Sequence, residues 1–508
     1  MSVERPGERS HPEALPDEVG VVIVGAGFSG LAMAARLARS GRRDFLLLER
    51  SDDIGGTWRD NAYPGCACDV PSHLYSLSFA PNPDWSRAFS PQAEIWEYMR
   101  RVADAEGLLT HVRLRCALLE AEWDGTAQRW RLSTSDGPMT AKALIAAGGP
   151  LSEPRVPDLP GIADFTGEAF HSANWPADLD LTGKRVAVVG TGASAIQFIP
   201  QIAPAVEHMT VFQRTPPWIL PRGDRPIRPG ARAVYRRVPA AQRFVRALHE
   251  GSRDILAMPL FRRVALSGVT RSIALRHLRK QVPDPELRAK LMPDYAPGCK
   301  RLLLSDDYLP ALMRPNVELV DQGVTAVRER SVVAADGTER PVDTMIFGTG
   351  FRVTEPPLVA HLRGPAGRTL AEEWSGGGLN AHRGTMVAGF PNLFLMLGPN
   401  TGLGHTSVLI MVEAQVRYVL SALTYMDAKG VGTVEPLPAA QRAWNTRIQD
   451  RLTGTVWNAG GCRSWYLDRS GRNTTLWPDS TIRFRRALRR FDPGEHRLTP
   501  VSEPAPTP

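Results

Sequence analysis

The sequence predicts an α/β chain of two Rossmann-like dinucleotide-binding domains with a helical insertion in the second. Three observations predict it: a strand, glycine turn and helix near residue 25, a second copy near residue 190, and an Arg-rich stretch of helical character after that copy. At 508 residues the chain is too long for one ordinary core, and two to three domains are expected.

Residues 20–24, GVVIV, are a short apolar run suited to a buried parallel strand. Gly25-Ala26-Gly27-Phe28-Ser29-Gly30 follows at once. A helix comes next, with Leu31, Ala34, Ala35 and Leu37 along one side and a stop near Gly41. A second strand, Phe45 to Leu48, ends in Glu49. Gly25, Gly27 and Gly30 permit a tight turn and bring a pyrophosphate close to a helix N-terminus. Glu49, 24 residues after Gly25, stands where an acid binds a ribose hydroxyl pair.

The second copy runs from the strand Lys184 to Val189 through the turn Gly190-Thr191-Gly192-Ala193-Ser194-Ala195 to a helix from Ile196 and a strand from Met209 to Phe212. Gly190, Thr191, Gly192, Ser194 and Ala195 are the expected pyrophosphate cradle, Thr191 acting through its backbone. Two positions differ from the first copy. The third glycine is Ala195, and the acid is replaced by Gln213-Arg214-Thr215. Arg214, 24 residues after Gly190, accommodates the 2′-phosphate of NADP. The first site is therefore expected to take FAD and the second NADPH, a plan in which NADPH reduces flavin and flavin passes electrons onward.

The expected organisation is a disordered leader, 1–18; the FAD-binding domain, 19–150 and 351–495; a Pro- and Gly-rich linker, 151–179; the NADP-binding domain, 180–222 and 300–350; a basic helical insertion, 223–299; and a disordered tail, 496–508. A strand at Leu393–Leu397 and a helix carrying Val412, Val416, Val419 and Leu423, closed near Gly430, belong to the returning part of the first domain.

The formal net charge of +8 is concentrated: between Arg225 and Lys290 there are 16 Arg and Lys against 4 Asp and Glu. Aromatic residues are few there and no nucleic-acid-binding motif occurs. Ile255, Leu256, Leu260, Phe261 and Val264 recur at helical intervals, so a helical subdomain with a solvated basic face is expected rather than a nucleic-acid site. No apolar run is long enough to span a membrane, and the polar N-terminus has no secretory core, so a cytoplasmic protein without stable membrane insertion is expected. The cysteines Cys66, Cys68, Cys116, Cys299 and Cys462 are odd in number and show neither CxxC nor zinc spacing; free thiols and no metal site are expected.

Three further motifs make the chain resemble class B flavin-dependent monooxygenases, and their Baeyer–Villiger branch in particular. Phe165-x-Gly167-xxx-His171-xxx-Trp175-Pro176 resembles that branch's fingerprint, Gly55-Gly56-x-Trp58-xxxx-Tyr63-Pro64-Gly65-xxx-Asp69 its second signature, and Gly298-Cys299-Lys300-Arg301 its active-site arginine motif. The likeness runs from about residue 20 to 490. It implies an FAD- and NADPH-dependent enzyme that uses O2, through a C4a-peroxyflavin, to turn a ketone into an ester or lactone. An N- or S-oxygenating flavin-containing monooxygenase is the alternative, and Trp175 with the Lys300-Arg301 pair argues against it. Members acting on cyclic ketones typically have Thr where this chain has Cys299, which leaves aryl, linear and polycyclic ketones open.

The resemblance implies Arg301 as the catalytic cation, a guanidinium that stays charged at any working pH, with Asp69 as its carboxylate partner. Gly56, Trp58, Asp69 and Tyr75 are implied on the flavin side, and Lys300 joins Arg214 on the 2′-phosphate. His171 and Trp175 are expected to act structurally, coupling NADPH binding to domain rotation. His405 and the run Cys462 to Tyr466 are left between lining the substrate side and packing in the core.

Overall fold

The computed structural model describes residues 14–502. The first apolar run folds as the strand Glu18–Val24, parallel to Phe45–Leu48 on one side and Gly137–Ala146 on the other. Helices and connections cover both sheet faces, so strands here need unbroken apolar runs rather than alternation. The sheet continues from Gly137–Ala146 through Arg129–Thr134 to Leu118–Asp124, and Leu393–Leu395 returns to pair with Gly137–Ala146. The helix Phe28–Arg39 packs against the 21-residue helix Leu409–Lys429, which ends on Gly430 in the left-handed conformation.

The second sheet is parallel throughout, in the order Val317–Val320, His208–Phe212, Arg185–Val189, Thr344–Phe347, Glu168–His171. Its last strand corrects the expected linker at 151–179. Glu168–His171 is an edge strand with three of its four side chains at least partly exposed, so no apolar run marks it in the sequence.

The tail is corrected as well. His496–Pro500 pairs antiparallel with Val431–Pro436, and only 503–508 of that segment lies outside the described residues. Proline at the end of an edge strand costs no ladder bond, so Pro-rich composition did not exclude a strand. In the leader, Glu18 is already in the first strand and the Asp17 carbonyl accepts from Thr140 N at 2.8 Å; residues 1–13 lie outside the described residues.

The basic segment forms the helices Pro229–Arg237, Pro239–Ser252, Met258–Arg262, Gly268–Gln281 and Pro285–Lys290, with a π-helical turn at Arg253–Ala257. Phe261 is buried, but Ile255 and Leu256 are 68% and 69% exposed. The wider π turn places more residues per turn than an α-helix, so the apolar face implied by 3.6 spacing slips outward there. Among the described residues no helix is long and apolar enough to cross a membrane.

Candidate active site between two dinucleotide turns

The first glycine turn is shaped by contact. A Cβ on Gly30 would lie 1.9 Å from the Gly25 carbonyl oxygen, and Gly25 itself has φ +105°, a region that disfavours other residues. Gly56, opening the short helix Thr57–Asp60, presses on the same turn; its Cβ would stand 3.1 Å from Gly27 Cα. Beyond the second strand Glu49 is buried, accepts from Ala26 N at 2.8 Å and Ser51 N at 3.0 Å, and pairs with Arg59 at 3.2 Å. The acid therefore lies beside the turn, as the 24-residue spacing predicted.

The second turn is built alike. Gly190 donates to the Phe212 carbonyl at 3.0 Å, and a Cβ there would meet the Gly348 oxygen at 2.7 Å. Alanine is tolerated at position 195 because glycine faces it: a Cβ on Gly348 would come 3.1 Å from Ala195 Cβ. Thr191 is buried, Gly192 is exposed and Ser194 is half-buried just before the helix Ala195–Ile202. Arg214 is exposed beyond Phe212, next to Lys300. Burial, and then the nearby Arg214 charge, push the Lys300 ammonium below its ordinary value. Two cations brought together at some electrostatic cost, with Lys300 also above the Tyr295 ring at 5.0 Å, form a site for a multiply charged anion.

Residue 301, next in the chain, faces the other way. Arg301 donates through Nε to Asp69 Oδ2 and through Nη2 to Asp69 Oδ1, both at 2.8 Å. This bidentate pairing is the main reason the guanidinium is held above its usual value, against the opposing effect of burial. Tyr466 is buried beside the pair, its hydroxyl pushed up to about 12 by burial. Tyr75 senses both charges and accepts from Trp58 Nε1 at 3.0 Å; its ring meets Phe28, in the first glycine turn, edge-on at 5.5 Å. Phe28, Tyr75 and Trp58 thus form a run of contacts from the first turn, with the Asp69 and Arg301 charges acting on Tyr75, while Lys300 lies next to Arg214 beyond the second strand of the other fold.

The segment between Gly56 and Asp69 also clasps the two domains. Tyr63 donates to Gln197 Oε1 at 3.0 Å, Gln197 Nε2 donates back to the Ala67 carbonyl at 2.9 Å, and a Cβ on Gly65 would strike the Gln197 backbone carbonyl oxygen at 2.7 Å. Gln197 is on the second nucleotide helix, so this signature docks one fold on the other. The fingerprint reaches that helix too: Trp175 meets Phe198 at 5.3 Å and Phe170 at 5.3 Å. His171 is buried, and its Nδ1 accepts from Ala173 N at 3.1 Å. Burial lowers its pKa, against a smaller opposing effect of the Gly350 backbone.

Two expectations about side chains are settled. His405 takes the core role: it is buried and its Nε2 pairs with Asp254 Oδ1 at 2.9 Å. The free-thiol expectation is corrected for two of the five cysteines, because Cys299 and Cys462 form a disulfide across 163 residues with Cα atoms 6.1 Å apart. No spacing pattern could reveal a pairing that only the return of the chain past residue 460 creates. The bridge ties the Arg301 run to the Tyr466 run, which the sequence left between lining the substrate side and packing in the core. Cys66, Cys68 and Cys116 are free and buried. Alkylation of the denatured, unreduced protein is expected to add three groups, rising to five after reduction; intact mass checks it. Among the described residues no cluster could hold a metal ion.

Two dinucleotide folds with an arginine–carboxylate pair between them define a flavin-dependent, pyridine-nucleotide-linked oxidoreductase. The chain belongs to the flavin-binding monooxygenase-like family, whose model matches residues 18–363, and within it to the Baeyer–Villiger branch. It is 50% identical to a Baeyer-Villiger monooxygenase of Streptomyces coelicolor over 97% of this chain and 95% of that one. It is 46% identical to a Baeyer-Villiger monooxygenase of Pseudomonas aeruginosa, covering 94% and 91%. Among solved structures it resembles OTEMO in complex with FAD and NADP, with a TM-score of 0.84 and 28% identity over 95% of this chain and 99% of that one.

Proposed function

We propose that this chain is an NADPH- and O2-dependent flavoprotein monooxygenase that inserts one oxygen atom beside a carbonyl, turning a ketone into an ester or lactone. The observation that carries this reading is the bidentate Arg301–Asp69 pair, whose charges act on Tyr75, a ring that packs on Phe28 in the first glycine turn. The residues fit the two cofactors. Gly25, Gly27, Gly30 and Gly56 leave no side chain over the first helix N-terminus, and Glu49, beside that turn, would take a ribose hydroxyl pair, which suits FAD. The second turn with Arg214 and Lys300 suits the pyrophosphate and 2′-phosphate of NADPH.

Bound there, FAD would supply the oxygen-transfer chemistry, with NADPH as the electron source and O2 as the oxygen source. Arg301 holds a permanent positive charge where negative charge develops on the substrate oxygen, and Asp69 fixes its plane. Trp58 and Tyr75 wall the flavin side, their mutual hydrogen bond setting both ring orientations. His171 and Trp175 act as a coupling device: Trp175 grips the second nucleotide helix, so movement of that domain reaches the fingerprint strand. A cytoplasmic setting supplies the NADPH.

The test is product identification by mass spectrometry from the purified yellow protein with NADPH, O2, a ketone panel and a sulfide panel. Esters or lactones are expected; oxygenated sulfides with no ester from any ketone would overturn the assignment. Arg214→Ala is expected to raise KM for NADPH by roughly 10- to 100-fold while leaving KM for NADH within about threefold, because a charge-assisted contact made only with the 2′-phosphate is lost. Steady-state kinetics with both nucleotides checks it.

A further inference from the structure

The Cys299–Cys462 disulfide joins a firmly held half to a loosely held one. On the first side, Cys299 is buried in a small cluster with Trp218, Ala274 and Tyr295. Trp218 Nε1 donates to the Tyr295 carbonyl at 2.8 Å, and the Tyr295 hydroxyl donates to the Pro216 carbonyl at 3.0 Å. Gly298, at φ +96°, is pressed from both sides: a Cβ there would lie 2.9 Å from Phe261 and 3.2 Å from Val456. On the second side, Gly461, Arg463 and Trp465 are exposed and Cys462 is half-buried. Among the described residues, 461–466 make turn bonds through Ser464, and their one hydrogen bond beyond that turn runs from Cys462 N to Cys299 Sγ at 3.2 Å. Just before them, Ala296 N donates to the Gly460 carbonyl at 2.9 Å, and a Cβ on Gly460 would stand 2.6 Å from Cys299 Cβ. The bridge is therefore what fastens 461–466 to the run that carries Lys300 and Arg301.

It is also a bridge out of place in a stabilising framework. The other three cysteines are free and buried, so this is a single disulfide, two residues before the bidentate Arg301–Asp69 pair. In a compartment that supplies NADPH, thiols are kept reduced, and the disulfides that do form there are mostly catalytic or redox-sensing. A reductant reaches this one from the Cys462 side, because Cys299 is buried.

We propose that the Cys299–Cys462 bridge is a redox switch on oxygen insertion: closed, it braces the Arg301 run against residues 460–466; opened by a dithiol, it frees that brace and uncouples NADPH oxidation from ester formation. The proposal rests on the ketone-oxygenating reading. In the opening step a thiolate of the dithiol attacks Cys462 Sγ, forming a mixed disulfide and breaking the bond to Cys299, which leaves as a thiolate and takes a proton. The second thiol of the reductant then attacks its own sulfur in the mixed disulfide and releases Cys462. Two electrons and two protons pass to Cys299 and Cys462, and the dithiol ends as a disulfide. Oxidation by a disulfide of the same class reverses each bond.

The experiment treats the native holoenzyme with dithiothreitol, removes the reductant, and follows ester formed per NADPH consumed beside the alkylatable thiols counted by intact mass after denaturation. The count is expected to rise from three to five. Ester formation should fall by about 10- to 100-fold, the cost of an ångström-scale displacement of a catalytic group, while the visible flavin spectrum is kept. Reoxidation with the cyclic disulfide of dithiothreitol should restore both the count of three and the ester yield. Cys462→Ser, at the more exposed end of the bridge, should behave as the reduced enzyme and ignore dithiothreitol; if that variant does not fold, the reversible wild-type titration decides. Five thiols before any reduction, or a dithiothreitol response that survives in Cys462→Ser, would overturn the proposal. So would a reduced enzyme that melts at a lower temperature yet makes ester at the full rate, since the bridge would then be structural only. Equal ester yield from both forms defeats this inference alone; no ester from the oxidised form defeats the ketone reading and this inference with it.

Discussion

Replacing Arg301 with Ala is expected to lower ester formation by about 1,000-fold or more while the purified protein remains yellow. Removing one fixed donor from a developing anion costs about 100- to 1,000-fold in known acyl-transfer sites, and a full guanidinium charge in a partly buried setting contributes more than a neutral donor. The substitution has a second effect. Asp69 loses the partner that engages both its oxygens, and an uncompensated carboxylate then stands where negative charge must develop. Flavin retention is expected because the glycine turn, Gly56 and Glu49 hold their positions without Arg301. Gas chromatography of the products, read beside the visible flavin spectrum and NADPH consumption, separates lost oxygen insertion from lost cofactor. Normal ester yield from the variant would sink the role given to this side chain.

Gly30→Ala is expected to give protein with less than about a tenth of the wild-type flavin and a lowered Tm. The added Cβ would sit 1.9 Å from the backbone oxygen of Gly25, and no rotamer can relieve a clash made by Cβ itself. Helix and turn must separate, and their close approach is what brings the pyrophosphate to the helix N-terminus. Gly376→Ala is the control: a Cβ there meets nothing within 4 Å. Absorbance ratios at 450 and 280 nm with thermal melts check both, and a fully flavinylated Gly30→Ala protein would show that the turn opens at little cost.

The two glycine turns were legible because each element of that pattern is local. A strand, a tight turn, a helix and an acid or arginine 24 residues on are all demanded within one stretch of chain; Glu49 meets the first turn at Ala26 N, and Arg214 lies near Lys300 beyond the second strand of the other fold. The Arg301–Asp69 pair was legible by resemblance alone; no spacing rule joins residues 232 apart. The fingerprint strand and the C-terminal strand were missed because edge strands are short, half-exposed and tolerant of proline, and so lack the periodic signal of a central strand.

The sequence by itself determined the two nucleotide folds, the acid that marks one and the arginine that marks the other, since backbone sterics and helix termini act within a few tens of residues. Only the tertiary structure decided which distant side chains meet: Tyr466 near Arg301, the Cys299–Cys462 bridge and the Tyr63–Gln197 clasp. Those meetings arise from packing between elements more than a hundred residues apart, where burial, charge and shape choose the partners and no local repeat records the choice.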